Sequence, residues 1–265
     1  MARHTIRRNG IELFARDRGE GLPLLLAHGM WCDHRIFDRM IGELGPSFRT
    51  IALDLRGHGR SRPASRPWSV LDLADDLRKV LDVLAIERAV VVGHSLGGMA
   101  ALHMALACPQ RLKALVLLST SADAETSERR TQLKTLAMTV RAVGPSRWLV
   151  RKAASIFFSS DYARRSPESI QRWCTAVRSM GKRALYQAVE AVRTRPSVMD
   201  RLDTIQTPAL VFCNSGDPIC DPDRSRAMAA RLANGTARIL PGGGHALPME
   251  HPETTARAIR AFVND

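Results

Sequence analysis

Short apolar runs alternate with amphipathic stretches along the first 120 residues. Residues 23–28 (PLLLAH), 48–54, 89–92 (AVVV) and 112–118 (LKALVLL) have the length and continuity of strands buried on both faces. Between them, Val70, Leu73, Leu77, Val80, Leu81 and Leu84 recur at helical spacing with charge in the gaps. Residues 35–44 and 96–107 read as further helices. The alternating stretches 5–8 and 11–16 flank Asn9-Gly10, which predicts a hairpin, and Gly19-Glu20-Gly21 marks a second turn. Strands alternating with helices predict the α/β class: a mostly parallel, twisted sheet with helices on both faces. The alternation stops near Ser121, and residues 121–205 read as helices only. Strand patterns resume at 208–213 and 237–240, and 253–263 closes the chain as a helix. The predicted organisation is a core formed by 1–120 and 206–265, interrupted by a helical cap at 121–205.

Composition narrows this picture. A chain of 265 residues, 45% apolar and 25% charged, suits one large α/β domain or a core with an insertion. No apolar run approaches the roughly 18 residues that cross a membrane, and the opening MARHTIRRNGIELF lacks the apolar centre of a secretory signal. Five scattered cysteines without a C-x-x-C pattern read as free thiols in a reducing compartment. The expectation is a cytoplasmic protein, with homo-oligomerisation left open.

The net charge of +13 stands out. Such a balance can serve nucleic acid or an anionic surface. The chain has no zinc-finger spacing, no aromatic RNA-binding motif and only 5% aromatic residues, so nucleic acid is not the expected partner. Residues 121–205 hold sixteen Lys/Arg against eight Asp/Glu, which fits attraction of an acidic small molecule better.

The stretch AVVVGHSLGGMAAL at 89–102 carries the candidate chemistry. Gly93-His94-Ser95-Leu96-Gly97 fits G-x-S-x-G between a strand and a helix. A sharp turn there holds the serine hydroxyl above the sheet, and the flanking glycines allow a close approach that a Cβ would block. A serine hydroxyl needs a base, and the base needs an orienting acid. Both should lie on loops after strands, where ligands of parallel sheets bind. His245, in PGGGHALP, is the candidate base. His94 neighbours the serine and is expected to point away from it, and His58 falls in a turn. Asp217, in CNSGDPICDPD, is the candidate acid, with Asp221 and Asp223 as rivals; Asp223 resembles a helix cap. The order Ser95, Asp217, His245 is the expected one. Two backbone amides are needed for the oxyanion: that of Leu96, directly after the serine, and that of Met30, after His28-Gly29.

Taken together, His28-Gly29, the D-x-R-G-x-G-x-S run from Asp54 to Ser61, GHSLGG at 93–98, Asp217-Pro218, and Gly244-His245 followed by Glu250 and Pro252 resemble the α/β-hydrolase superfamily over essentially the whole chain. The G-x-G at 57–59 lacks the third glycine and the helix of a dinucleotide site and reads as a structural turn. The acidic turn departs from the pattern of many relatives, because Asn214 replaces a glycine three residues before Asp217. The resemblance implies catalysis without metal or organic cofactor. It points to a small ester or lactone substrate, with C–C bond hydrolysis, perhydrolase-like chemistry or acyl transfer as alternatives of the same fold, and a small-molecule binding protein as the non-enzymatic alternative. The helical segment is more loosely similar to the cap of β-ketoadipate enol-lactonases and related carboxylesterases, which implies a substrate that is small and anionic. Trp31, Met138, Trp148, Phe157, Phe158 and Trp173 are the candidate pocket residues.

Overall fold

Among the described residues, eight strands form one sheet in the order β1-β2-β4-β3-β5-β6-β7-β8. They are β1 (Ala2–Arg8), β2 (Ile11–Arg18), β3 (Leu22–Ala27), β4 (Phe48–Leu53), β5 (Ala89–His94), β6 (Leu112–Leu118), β7 (Ala209–Asn214) and β8 (Gly235–Leu240). The computed structural model describes residues 2–8, 10–62 and 66–264. Asn9 of the expected Asn9-Gly10 turn lies outside them; Gly10 has φ 73°, and β1 pairs antiparallel with β2 on either side. β2 also pairs antiparallel with β4, and every other pairing is parallel.

The helices are α1 (Asp38–Leu44), α2 (Val70–Val83), α3 (Leu96–Ala107), α4 (Ser127–Val143), α5 (Arg147–Phe157), α6 (Ser160–Arg165), α7 (Pro167–Ser179), α8 (Lys182–Arg193), α9 (Pro222–Arg231), α10 (Leu247–Glu250) and α11 (Pro252–Asn264). α2 starts at a reciprocal capping box, Ser69 with Asp72, and buries the predicted stripe Val70, Leu73, Leu77, Val80 and Leu81. β5 is buried along its whole length, as its unbroken apolar run requires. It sits between β3 and β6, with α3 packed against it. α4 to α8 all fall between β6 and β7, which are themselves neighbours in the sheet, so the five helices leave the sheet order undisturbed.

The Asp54–Ser61 run is a turn stitched by its own carboxylate. Asp54 accepts from the amide and ring of His34 at 2.7 and 2.8 Å and from the Arg60 amide at 2.8 Å, while Ser61 Oγ donates to the Asp54 carbonyl at 2.5 Å. His58 is fully buried here, near the rings of His28 and Trp68. Burial, and next the neighbouring His28, push its pKa down to about 3. The unfolded chain takes up a proton near pH 6.5 that the folded chain refuses until about pH 3. Stability is therefore unaffected above about pH 6.5 and falls below it, by about 1.4 kcal/mol per pH unit for this group. Between pH 7 and pH 5, His58→Gln should lose about 2 kcal/mol less stability than the wild type in urea titrations. Equal losses in the two proteins would remove His58 from the acid sensitivity.

Candidate functional site

Ser95 stands where β5 turns into α3, with φ 51° and ψ −117°. A non-glycine residue in that region costs on the order of 1–3 kcal/mol and persists only if its surroundings fix it. They do. Its amide donates to the Leu118 carbonyl at 2.9 Å, and its carbonyl accepts from Thr120 Oγ1 at 2.7 Å and from the Met99 amide at 3.0 Å. The glycines allow the tight packing: a Cβ on Gly93 would lie 2.5 Å from the Gly97 carbonyl, and one on Gly97 would collide with the Ala27 carbonyl of β3.

His245 lies in the loop after β8, and Asp217 in the loop after β7. His245 Nε2 is 2.9 Å from Ser95 Oγ, and its Nδ1 is 2.8 and 3.0 Å from the two oxygens of Asp217. Asp217 Oδ1 also accepts from the amides of Ile219 and Cys220 at 2.9 and 3.0 Å. Burial alone would raise the Asp217 carboxyl, but the adjacent His245 and these amides outweigh it and hold the group below the usual carboxylate range. Asp217 is therefore the anion that can orient the imidazole.

The rival carboxylates do other work. Asp221 caps α9, its Oδ1 accepting from the Asp223 amide at 2.9 Å, so the cap is Asp221 and not Asp223 as the sequence suggested. Asp223 pairs with Arg226 in the first turn of that helix.

The histidines beside the site are braces. His94 is buried, and its Nε2 lies 2.8 Å from the carbonyl oxygen of His245, so it holds the His245 loop. Burial and the nearby His245 push its pKa down to about 3, and it stays neutral. His28 Nε2 accepts from the Leu55 amide at 3.0 Å and ties the end of β3 to the end of β4. Glu250 provides a further clamp that sequence reasoning left without a role. Its carboxylate accepts from the Gly244 amide at 3.0 Å and from both the amide and the hydroxyl of Ser159, at 3.0 and 2.5 Å. The His245 amide donates to the Phe157 carbonyl at 3.0 Å. Residues 157–159 are thus sewn to the loop that presents His245.

A small cavity, about 90 Å3, opens beside Ser95 and His245. Met30 and Phe157 line it. Leu96 is the first residue of α3, so its amide has no acceptor within the helix. The other five expected pocket residues lie elsewhere. Met138 and Trp148 are exposed, at 53% and 68%, and do not line the cavity. Their helices bury different stripes: Leu133, Ala137 and Val140 on α4, and Leu149, Val150, Ala154 and Phe157 on α5. Trp31 and Trp173 are packing residues, their indoles donating to the Leu185 carbonyl and to Cys32 Sγ, and Trp173 stacks on Phe157. Phe158 borders another cavity. The lining that sequence reasoning missed includes Met99, Thr120, Arg195, Ile219 and Cys220. All but Arg195 lie within six residues after the end of β5, β6 or β7, and that position was the available signal.

Among the described residues, two groups bring potential metal-ligating atoms within 4.8 Å of one another: Asp217, Cys220 and His245, and Asp33, His34 and Asp54. Hydrogen bonds already occupy these carboxylates and imidazoles. The Cys220 thiol is pushed well up by burial and by Asp217, which keeps it protonated and a weak ligand. Among the described residues, no helix is long and apolar enough to cross a membrane.

Known proteins resemble this chain over nearly its whole length. A family model described as the alpha/beta hydrolase family matches residues 24–258. A protein of Caulobacter sp. (strain K31) assigned as carbamate hydrolase RutD is 30% identical over 252 residues, covering 91% of this chain and 90% of its own. The poly(3-hydroxyalkanoate) depolymerase of Ectopseudomonas oleovorans is 31% identical over 242 residues, covering 91% and 84%. Among solved structures, a thermophilic esterase from Thermogutta terrifontis, with malate bound, superposes with a TM-score of 0.91 at 30% identity, covering 100% of this chain and 98% of the esterase.

Proposed function

Since the chain belongs to the alpha/beta hydrolase family, we propose that it is a serine hydrolase that cleaves a small carboxylic ester or lactone through an acyl-enzyme on Ser95. The observation that carries this reading is the unbroken line from Asp217 through His245 to Ser95 Oγ, with both links at hydrogen-bond distance. Ser95 Oγ attacks the carbonyl carbon while His245 Nε2 takes its proton. Asp217 holds the imidazole with Nδ1 protonated and stabilises the cation that forms. The amides of Leu96 and Met30 receive the oxyanion. The tetrahedral species collapses, and His245 gives its proton to the leaving alkoxide. Water, deprotonated by His245, then attacks the acyl-serine and releases the acid.

Residues 121–205 act in this reading as a cap that sets the substrate. The cavity volume supports a small acyl group. Free cysteines are in keeping with a reducing cytoplasm. The names of the depolymerase and the esterase support ester chemistry. A carbamate, which RutD's name suggests, would pass through the same steps with a carbamoyl-serine.

Charge within the cavity supports an anionic substrate. Glu125 is paired with the buried Arg195 at 2.5 Å, and Asp221 is engaged as a helix cap. Arg129 and Arg224 also line the cavity, and among the described residues neither has a carboxylate partner. A carboxylate on the far end of the substrate would meet them.

The test is pH-stat hydrolysis of neutral esters, neutral lactones, carboxylate-bearing lactones and carbamates. The expected order places the carboxylate-bearing lactones first. Arg129→Gln and Arg224→Gln should each raise KM for those substrates by roughly tenfold, corresponding to about 1.4 kcal/mol, and leave neutral esters unchanged. Faster hydrolysis of neutral esters, unaffected by either substitution, would overturn the anionic assignment. Well-folded protein that hydrolyses nothing and resists fluorophosphonate labelling would overturn the hydrolase reading and favour a binding protein.

A further inference from the structure

A second cavity lies within the helical insertion. α5, α6 and α7 border a half-open cavity of about 570 Å3, within the range of small-molecule sites. Its floor includes Val150, Ala154 and Phe158, all buried. Arg147, Arg151, Arg164 and Arg178 line it, and among the described residues no aspartate or glutamate does.

All four side chains are exposed, and what sets them apart is the cavity they share, with an apolar floor, rather than their charge alone. Elsewhere on the insertion Arg165, Arg193 and Arg195 are paired with Asp161, Glu190 and Glu125 at 2.5–2.7 Å. Among the described residues, Arg147, Arg151 and Arg178 have no carboxylate partner, and Arg164 reaches Asp161 only at 3.5 Å. Burial pushes the Cys174 thiol up, and the charges of Arg151 and Arg178 oppose it, so both guanidinium groups gather around this one wall. Four like charges around one cavity favour an anion there. The cavity is also separate from the catalytic one. Phe157 faces Ser95 while Phe158 faces this space, and the two rings meet edge to face at 4.9 Å.

We propose that this cavity is a second binding site, for a small amphipathic anion: an organic phosphate or carboxylate whose head is held by Arg147, Arg151 and Arg178 and whose short apolar body lies on Val150, Ala154 and Phe158. Guanidinium groups bind such heads through paired charge-assisted hydrogen bonds. The apolar floor adds to the binding in proportion to the area it covers. A lipid bilayer surface is the competing occupant, because the exposed Trp148 stands beside Arg147, Arg151 and Lys152. A recessed floor of this volume fits a dispersed molecule better than a flat surface.

The probe is octyl phosphate below its micellar concentration, titrated by calorimetry into the intact protein. Saturable binding is expected, at least tenfold tighter than that of inorganic phosphate or octanol. Arg151→Gln and Arg178→Gln should each weaken it by tenfold or more, with turnover of a soluble ester unchanged. Trp148 supplies a second readout. The other three tryptophans, Trp31, Trp68 and Trp173, are buried, so a blue shift of emission on binding should vanish in Trp148→Phe while the heat of binding remains. Octyl phosphate that binds no better than phosphate, that binds both arginine variants as it binds the wild type, or that competes with ester at Ser95 would overturn the proposal. So would association with anionic vesicles in the absence of any binding of the dispersed probe.

Discussion

On the proposed acyl-enzyme route, Ser95→Ala should lower kcat by about 10⁴–10⁶-fold with little change in KM, because the acyl group would have no oxygen to join. The loss should come without unfolding. The alanine keeps the backbone bonds to Leu118, Thr120 and Met99 and gives up only the Oγ contact with His245. Ser95→Gly is the sharper control. Glycine accepts φ 51° without strain, so this variant should be at least as stable as the wild type and equally inactive. Ester hydrolysis measured by initial rates, with urea unfolding of all three proteins, checks both halves. Retention of more than about a tenth of the wild-type rate in Ser95→Ala would show that the nucleophile lies elsewhere.

Asp217→Asn should reduce kcat by about 10⁴-fold. An amide can donate to Nδ1 and so favours the wrong tautomer, with the proton on the nitrogen that must face Ser95. The imidazolium also loses its counter-charge. The amides of Ile219 and Cys220 would still find an acceptor in the asparagine oxygen, so the loop should keep its shape. Asp221→Asn provides the contrast, because Asp221 caps α9 and asparagine caps nearly as well. Its turnover should stay within a few-fold of wild type. If Asp221→Asn is inactive and Asp217→Asn is active, the acid has been misassigned.

The reading of the core from its pattern succeeded where burial was uniform. Residues 96–107 and 112–118 are α3 and β6 with the bounds expected. β5 and β7 each run one residue or more beyond their apolar letters, to His94 and Asn214, since a strand ends where its partners stop hydrogen bonding. β8 begins at Gly235, two residues before its expected start. It lies at the sheet edge with Thr236, Ala237 and Arg238 exposed, so half of it carries no apolar signature. The insertion was legible as helices but not as a pocket. Counting aromatic and large apolar residues selected Trp148 and Met138, whereas the i, i+4, i+7 stripe Leu133, Ala137, Val140 on α4 already excluded Met138.

The sequence by itself determined the local chemistry and the order of elements. A Gly-x-Ser-x-Gly between an apolar run and a helix can fold into few shapes, and those interactions act over a handful of residues. Only the tertiary structure decided which groups meet. Ser95 and His245 are 150 residues apart along the chain, and their 2.9 Å contact exists because adjacent parallel strands bring the ends of β5, β7 and β8 to one edge of the sheet. The same holds for Glu250 gripping Ser159, for the neutral His94 beneath His245, and for four arginines from three helices around one cavity. Such juxtapositions depend on which faces of helices and strands are covered. That is set by packing against distant neighbours, which a one-dimensional pattern does not record.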